Sequence, residues 1–249
     1  MAILIAVANQ KGGCGKTTTV MNLAGGLHKA GYRVLVVDAD PQASAMIWSI
    51  ARGQGSLPFD VHTSRQHKGR FRPLADSNDY DLVLIDCPPG VTDEGNEAGR
   101  VARAAIREAD AILVPLRPST LDFSAAASFV KYLVKEKAED QKVLVLINGR
   151  QHTLIGRQAP DQAEQLFAPV TGTVILDTTI GLRAPITEVS GSGKTIFDYA
   201  PGHDAAREYR SLTKEIIKCL SSAQGSQQST SQTSAHSTRR SAQREYATA

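Results

Sequence analysis

The sequence predicts an α/β fold in which a central, mostly parallel sheet has helices on both faces. Short apolar runs alternate with stretches of helical periodicity along residues 1–220. The runs are apolar throughout, as expected for parallel strands that are covered on both sides. The predicted strands are Ile3–Ala8, Arg33–Val37, Asp81–Ile85, Ala111–Leu116, Lys142–Ile147 and Thr173–Leu176. The predicted helices are Lys16–Ala30, Ala43–Arg52, Glu94–Glu108, Phe123–Glu139, Pro160–Phe167 and His203–Leu220.

The composition is that of a globular protein. The chain has 249 residues, of which 41% are hydrophobic and 21% charged, and this excludes collagen-like, mucin-like and wholly disordered proteins. Its cysteines, Cys14, Cys87 and Cys219, are too few and too scattered for a disulfide framework or a CxxC metal site. No apolar run approaches the ~20 residues of a membrane span, and the N-terminus lacks a signal-peptide pattern. We therefore expect a cytoplasmic protein with no membrane partner.

Residues 1–220 are predicted to form a single domain, and residues 221–249 a disordered tail. The tail consists mainly of Ser, Thr, Gln and Ala, with Tyr246 as its only large apolar residue, so it cannot bury enough surface to become ordered. Its three arginines and one glutamate supply +2 of the net charge of +3. The tail could add an electrostatic contact to nucleic acid or be a solvated extension with no role.

A glycine-rich loop follows the first predicted strand and leads into the first helix. This order is typical of a phosphate-binding loop, in which backbone N–H groups and the helix N-terminus converge on an anion. Lys16 is expected to contact the β- and γ-phosphates, and the Thr17 hydroxyl to ligate Mg²⁺. The common pattern G-x-x-x-x-G-K-[ST] needs glycine at position 10, where this chain has Gln10. The loop residues predicted to bind nucleotide are Gly12, Gly13, Cys14, Gly15, Lys16, Thr17 and Thr18.

A second segment, SGSGKT at residues 190–195, also ends in Gly-Lys-Thr. It has no glycine five residues before Gly193, and no predicted strand precedes it. We therefore expect a surface loop here and no second phosphate site.

Aspartates end two of the predicted strands. Asp38 and Asp40 follow the second strand, and Asp86 ends the apolar run of the third. Ligands of open α/β folds bind at the carboxyl edge of the sheet, and an apolar strand that ends in aspartate is typical of a Walker B strand. Asp86 is expected to hold Mg²⁺ through water, and Gly90 to let the following loop respond to a γ-phosphate. An aspartate at a strand end is often only a helix cap, so either motif alone is a moderate signal, but their order after the loop favours a magnesium site.

Residues 11–18, KGGCGKTT, resemble the deviant Walker A motif of the ParA/MinD family of ATPases. The preceding Asn9-Gln10 and the segment from Pro118 to Ala126 are similar to the ParA branch, especially to small ParF-type plasmid and chromosome partition proteins. The resemblance covers residues 1–220 and implies a P-loop NTPase fold that uses ATP and Mg²⁺. It also implies that Lys11 binds nucleotide by reaching across an ATP-bound homodimer to the partner's phosphates.

The resemblance assigns further roles. Residues 38–42 correspond to the family's switch I and residues 86–90 to its switch II. Asp40 is expected to position or activate the attacking water, with Lys11 and Lys16 as the other catalytic residues. Asp38 is expected to support the Mg²⁺ shell held by Thr17 and Asp86. Asn148, at the end of the fifth predicted strand, corresponds to a residue that binds the adenine base, although an Asn that satisfies a turn fits the sequence equally well.

The last predicted helix has a basic stripe. At about 100° per residue, one side holds the apolar residues and another holds four cations. Such a stripe binds DNA phosphates without reading sequence, although a solvated helix face has the same pattern. Arg183 corresponds, by resemblance, to an arginine that ParA proteins use on DNA. The predicted DNA-binding residues are Arg183, Arg207, Arg210, Lys214 and Lys218.

Together these features predict a ParA-type ATPase for plasmid or chromosome partition. An ATP-dependent homodimer would bind nucleoid DNA non-specifically, and a centromere-binding ParB-like partner would stimulate hydrolysis and release. No Gln or Arg finger stands out in the sequence, so we expect slow basal turnover. The role of the basic residues between Arg65 and Arg72 stays open between DNA, a partner protein and none.

Two alternatives to DNA partition stay open within the same family. A ParA-like ATPase that positions a protein cargo, such as a microcompartment or chemoreceptor cluster, would share all of these residues. A MinD-like division-site regulator would need an apolar C-terminal amphipathic helix, which residues 224–249 lack.

Overall fold

The computed structural model describes residues 1–51, 57–92 and 95–221. The chain divides into two compact units, Met1–Thr213 and Lys214–Ala249. The first unit contains the whole sheet, and the described part of the second, residues 214–221, is helical. Apart from the helical Ser221, the predicted disordered tail lies outside the described residues.

All strand pairs in the described residues are parallel. The strands follow the order β3-β2-β4-β1-β5-β6-β7, and β8 pairs with β6. This arrangement confirms the predicted fold class. The strands are β1 (Ile3–Val7), β2 (Val34–Asp38), β3 (Asp60–Thr63), β4 (Leu82–Asp86), β5 (Ala111–Leu116), β6 (Lys142–Arg150), β7 (Thr173–Ile175) and β8 (Ile180–Gly181).

Helices connect the strands, and within the described residues none is long and apolar enough to cross a membrane. The helices are α1 (Lys16–Lys29), α2 (Ser44–Ile50), α3 (Arg72–Asp76), α4 (Glu97–Glu108), α5 (Thr120–Glu136), α6 (Leu154–Phe167), α7 (Ala184–Glu188), α8 (Ile196–Tyr199) and α9 (204–221). The short elements α3, α7, α8, β3 and β8 were not predicted. Strand β3 lies at the sheet edge and has no fully buried residue, so it lacks the apolar run that marks the other strands.

Helix α6 begins six residues before the predicted start, so Pro160 lies inside it. A proline in a helix leaves the carbonyl four residues earlier without its usual donor. Here that carbonyl belongs to Gly156, and it accepts a hydrogen bond from Arg150 Nε at 3.0 Å. The Thr153 side chain caps the helix start by accepting from the Gly156 N–H. The cost of the internal proline is thereby reduced.

The core lies on both faces of the sheet. Every residue of β2, β4 and β5 is buried, and because successive side chains of a strand point to opposite faces, both faces must be covered. One of the two layers joins β-strand residues with Phe129 of α5 and Phe167 of α6. The carboxyl edge of this doubly covered sheet is where the predicted nucleotide-binding residues lie.

Gly25 of α1 supplies a test of how closely the first helix packs. A Cβ atom at this position would lie 2.6 Å from the Thr195 Cγ2 atom. Although alanine has the higher helix propensity, we expect Gly25→Ala to lower the free energy of unfolding by about 1–3 kcal/mol, as overpacking does. Urea denaturation measures this change.

Thr195→Ser supplies the matched control, because it removes the methyl group and keeps the hydroxyl that donates to Asp198. The double variant should recover part of the loss, because the Thr195 Cβ and Oγ1 atoms still lie 2.9 and 3.1 Å from the position of the added Cβ. A stabilising effect of Gly25→Ala alone would show that the helix can shift to accommodate the methyl group.

Candidate nucleotide site

The predicted site residues meet at the carboxyl edge of the sheet. Strand β4 lies between β1 and β2, and its last residue, Asp86, is in register with Val7 and with Asp38. The glycine-rich loop follows β1, so it begins beside both aspartates. Open α/β folds bind their ligands at this edge.

The loop adopts a backbone that requires glycine at two positions. Gly13 and Gly15 have φ angles of 73° and 90°, in the left-handed region that residues with a Cβ avoid. Gly15 also packs so closely against the side-chain amide of Asn148 that a Cβ would overlap it. Around Gly12 and Gly13, by contrast, an added Cβ meets nothing within 4 Å. The loop is therefore fixed at its base and open where an anion would enter.

The side chain of Lys16, the first residue of α1, folds back onto the loop and is buried. It is 7% exposed, and its Nζ donates to the Lys11 carbonyl oxygen at 3.0 Å. Its charge is thus held at the N-terminus of α1, where the helix dipole also favours an anion. Cys14 is fully buried beneath the loop, and burial raises the pKa of its thiol, so it acts as a small filler.

Asp86 has the donor chemistry that a hard cation needs. Its side chain is buried, and neither carboxylate oxygen has a hydrogen-bond partner of ordinary geometry within the described residues. Burial raises its pKa to about 7, an effect that the Thr17 hydroxyl and the Lys16 charge oppose. Unpaired buried carboxylate oxygens are costly unless something else ligates them. Asp86 and Thr17 therefore fit Mg²⁺.

Mg²⁺ needs few protein ligands. Among the described residues no group of three or more His, Cys, Asp or Glu side chains could hold a metal ion. Mg²⁺ is usually held by one or two carboxylates together with water and substrate phosphates. The arrangement at Asp86 agrees with that mode of binding.

Asp38 has both of its oxygens engaged by the backbone. They accept from the Asp40 N–H at 3.1 Å and the Met46 N–H at 2.9 Å. Asp38 therefore connects switch I to the start of α2, and its predicted place in the Mg²⁺ shell stays a prediction. Asp40 is partly exposed and accepts from the Gln42 N–H at 2.9 Å.

A cavity of about 600 Å³ opens over the loop. This volume is in the range of small-molecule sites. Its lining joins the loop to Asp40 and to Trp48 of α2, and Ser190 and Gly191 complete it. The second glycine-rich segment thus borders the predicted nucleotide site. Its first three residues belong to a 3₁₀ turn, Val189–Ser192, which follows directly on helix α7 and not on a strand.

Comparison with known proteins decides the family. An AAA-domain family model matches residues 2–57, which contain the loop and switch I. The maintenance of carboxysome distribution protein A of Halothiobacillus neapolitanus is 32% identical over 225 residues, covering 87% of this chain and 97% of that protein. The chain belongs to the ParA/MinD family of P-loop ATPases.

Further relatives agree with this assignment. The chromosome-partitioning ATPase Soj of Thermus thermophilus is 29% identical over 248 residues, covering 86% of this chain and 94% of Soj. The septum site-determining protein MinD of Pyrococcus horikoshii, solved with Mg-ADP, has the same fold, with a TM-score of 0.67 and 20% identity over 90% of this chain and 99% of MinD. As a member of the family, this chain is an ATPase that binds nucleotide and Mg²⁺.

In this ParA/MinD ATPase, Lys11 is bound within its own chain. Its Nζ lies 2.9 Å from Asp122 Oδ2, in a pair whose side chains are 35% and 7% exposed. Asp122 lies in the first turn of α5, where Ser119 caps the helix. Sequence reasoning gave Asp122 no role, although a serine followed three residues later by an acid is a signal for a helix start.

Asn148 supports the phosphate loop of this ATPase. Its Nδ2 donates to the Cys14 carbonyl at 2.8 Å, and its Oδ1 accepts from the Gly149 N–H at 3.0 Å. One end of the amide is therefore committed to the loop. Its pairing with adenine stays a prediction.

The predicted DNA-binding residues of this ATPase differ in their surroundings. Arg183 Nη2 lies 2.6 Å from Glu208 Oε1, and Arg183 Nη1 lies 3.4 Å from Asp204. Arg207 is exposed and paired with Asp204, whereas Arg210 donates to the Pro201 carbonyl and stacks over Phe197. In the second unit, Lys214 and Lys218 are exposed. Arg210, Lys214 and Lys218 are thus the exposed cations of this set that have no carboxylate partner within the described residues.

The basic cluster of open role follows β3. Arg65 lies in the 3₁₀ turn Ser64–His67, and it lines a cavity of about 210 Å³ together with Asp40. Because β3 pairs in parallel with β2, its end lies next to switch I. The cluster therefore begins at the border of the nucleotide site.

Asn148→Ala tests the support of the loop. Loss of the Cys14 hydrogen bond should weaken the affinity for both ATP and GTP by roughly 1 kcal/mol, about fivefold, because the loop geometry serves any nucleotide. Calorimetric titration measures both affinities. Unchanged binding of both nucleotides would contradict the supporting role, and a larger loss for ATP than for GTP would demonstrate the additional adenine contact.

Proposed function

We propose that the chain is a ParA-type ATPase for plasmid or chromosome partition. Its ATP-bound homodimer binds DNA non-specifically, and a centromere-binding ParB-like partner stimulates slow hydrolysis and so releases it. The observation that supports this most directly concerns Lys11, the lysine that the loop carries in addition to Lys16. Lys11 is paired with the carboxylate of Asp122. A lysine that must leave an intramolecular partner before it can reach a second chain links nucleotide binding to dimerisation.

The chain's own groups account for the hydrolysis cycle. Lys16 and the N–H groups of the loop bind the β- and γ-phosphates, and Asp40 orients the attacking water. Thr17 and Asp86 would hold Mg²⁺, which would supply positive charge to neutralise the phosphate oxygens. No described residue that lines the cavity over the loop is an arginine, and this supports the proposal of a slow basal turnover that a partner accelerates.

DNA binding rests on phosphate contacts. Lys214 and Lys218, with Arg207 and Arg210, supply cations from one helix, and a phosphate-dominated interface does not read sequence. Arg183 contributes only when a phosphate replaces its carboxylate partners, Glu208 and Asp204. The bound protein is consequently associated with the nucleoid.

A protein cargo is the second candidate function. The observation that favours it is the relative from Halothiobacillus neapolitanus, whose name refers to carboxysome distribution. The two functions share the ATPase and the DNA-binding surface. Deletion of the gene separates them, if both the inheritance of the replicon and the position of protein assemblies are followed in the cell. Loss of the replicon at division supports DNA partition. A misplaced protein assembly with normal inheritance of the replicon supports a protein cargo.

Dimerisation tests the role of Lys11. The variant Lys11→Ala should bind ATP but stay monomeric, because it lacks the group that contacts the partner's phosphates. Asp122→Asn should dimerise at a lower ATP concentration than the wild type, since it releases Lys11 without changing the shape of the side chain. Multi-angle light scattering over an ATP series measures both effects.

Glu136→Gln, at the other end of α5, removes an acid that is paired with Lys135 and should behave as the wild type. A normal ATP-dependent dimer of Lys11→Ala would refute the contact across the dimer. An unchanged ATP requirement in Asp122→Asn would show that the Lys11–Asp122 pair does not oppose dimerisation.

DNA binding is the first test of the proposed function. Binding to a random-sequence duplex should require ATP and should weaken steeply with salt. Each phosphate contact adds about 0.9 to the slope of log K against log salt, so Lys214→Ala and Lys218→Ala should each lower the slope by about that amount for every protomer of the dimer that contacts DNA. Arg183→Ala should lower it less, because carboxylates already compensate that charge.

The control is Lys131→Ala, which removes another exposed lysine, on α5. Fluorescence anisotropy at several salt concentrations gives the slopes. If the lysine variants bind as the wild type does, the stripe is a solvated helix face. If the wild type does not bind DNA in any nucleotide state, the partition function is wrong.

A further inference from the structure

Gln10 occupies the position at which the phosphate-loop pattern departs from its common form. Its side-chain Oε1 accepts a hydrogen bond from the Thr92 N–H at 2.9 Å. Its backbone carbonyl accepts a second hydrogen bond from the Gly90 N–H at 3.0 Å. Both donors belong to the loop that follows Asp86. A glycine at position 10 could make the backbone contact but not the contact to Thr92.

Gln10 also lies between the two switch segments. It lines a cavity of about 400 Å³ whose walls come from residues on either side of it. Switch I supplies Asp40, Pro41 and Gln42, and switch II supplies Pro88, Pro89 and Gly90. Gln10 thus lines the same cavity as Asp40 and as the loop that follows Asp86.

The backbone on either side of Gln10 is held in place by Asn9, so a shift of this backbone also moves the Gln10 side chain. The neighbouring Asn9 is 1% exposed, and its Nδ2 donates to the Pro115 carbonyl of β5 at 2.7 Å. Its Oδ1 accepts from the Lys11 N–H at 3.2 Å. The opposite partner is adaptable, because Gly90 has a φ of 77° and can reorient without side-chain cost. The loop after Asp86 can therefore turn at Gly90, and the Gln10 side chain holds it at Thr92.

We propose that Gln10 is a positioning residue that couples the phosphate loop to switch II. It holds residues 90–92 in a fixed position relative to the phosphate loop. A change in the phosphate loop on nucleotide binding therefore changes the position of residues 90–92, of which Gly90 lines the same cavity as Asp40. Gln10 acts through Thr92 and does not bind the nucleotide through its side chain. The proposal rests on the proposed ATP cycle and specifies how its site is regulated.

Two substitutions separate the hydrogen bond from the shape of the side chain. Gln10→Met keeps the length of the side chain but lacks a strong acceptor, and Gln10→Glu keeps the acceptor oxygen. In the nucleotide-free protein, amide hydrogen exchange at Thr92 should become at least fivefold faster in Gln10→Met and stay near the wild-type rate in Gln10→Glu. Exchange at Gly90 should be unchanged in both variants, because its acceptor is a backbone carbonyl.

The coupling itself is measured with a non-hydrolysable ATP analogue and Mg²⁺. In the wild type and Gln10→Glu, the analogue should change the exchange of residues 87–92, and in Gln10→Met this response should be lost while the affinity for the analogue stays within about twofold. With ATP, kcat of Gln10→Met should fall at least fivefold with little change in KM.

Each outcome bears on the proposal. Unchanged exchange at Thr92 in Gln10→Met, a retained response to the analogue, or an equal loss of affinity and kcat would overturn it. A wild type that does not bind the analogue would instead refute the proposed ATP cycle, and this result is distinct from a normal wild type with a normal Gln10→Met variant.

Discussion

The buried carboxylate of Asp86 is the constraint around which this site is organised. The residue ends the inner strand β4, in register with Val7 and Asp38, and neither of its oxygens has a hydrogen-bond partner of ordinary geometry within the described residues. A sheet that is covered on both faces gives this carboxylate no access to water except at its edge. Its raised pKa, about 7, reflects that burial. The energetic cost is tolerated because the site is shaped for a cation and phosphates that would supply the missing interactions.

The phosphate loop divides its contacts between four parts of the fold. Asn9 fixes it to β5, Gln10 connects it to the loop after β4, and Lys11 pairs with Asp122 of α5. Asn148 supports it from β6. Each of these contacts joins residues that are far apart in the chain. The loop therefore contacts the ends of several strands and the start of α5 at once. A ligand that shifts the loop changes the position of each of these contacts.

The surface proposed for DNA differs in kind from the nucleotide site. Its arginines are engaged within the molecule, by the carboxylates of Asp204 and Glu208 or by the Pro201 carbonyl and the Phe197 ring. Its lysines are exposed. Such a surface has a moderate local charge, and interactions of exposed charges are sensitive to salt. This suits a protein that binds and leaves DNA repeatedly.

The sheet, the phosphate loop and the aspartates at the strand ends are predicted from the sequence alone. These features are encoded locally, since an apolar run of strand length, a glycine-rich segment and a terminal aspartate are each recognisable within about ten residues. Residues that lack such a local signature were missed: the half-exposed strand β3, the early start of α6, and the border position of Ser190 and Gly191. Only the tertiary structure paired Lys11 with Asp122 and Gln10 with Thr92, because 111 and 82 residues separate these partners along the chain. Contacts over such separations are set by the order and register of the strands, which the sequence pattern does not specify.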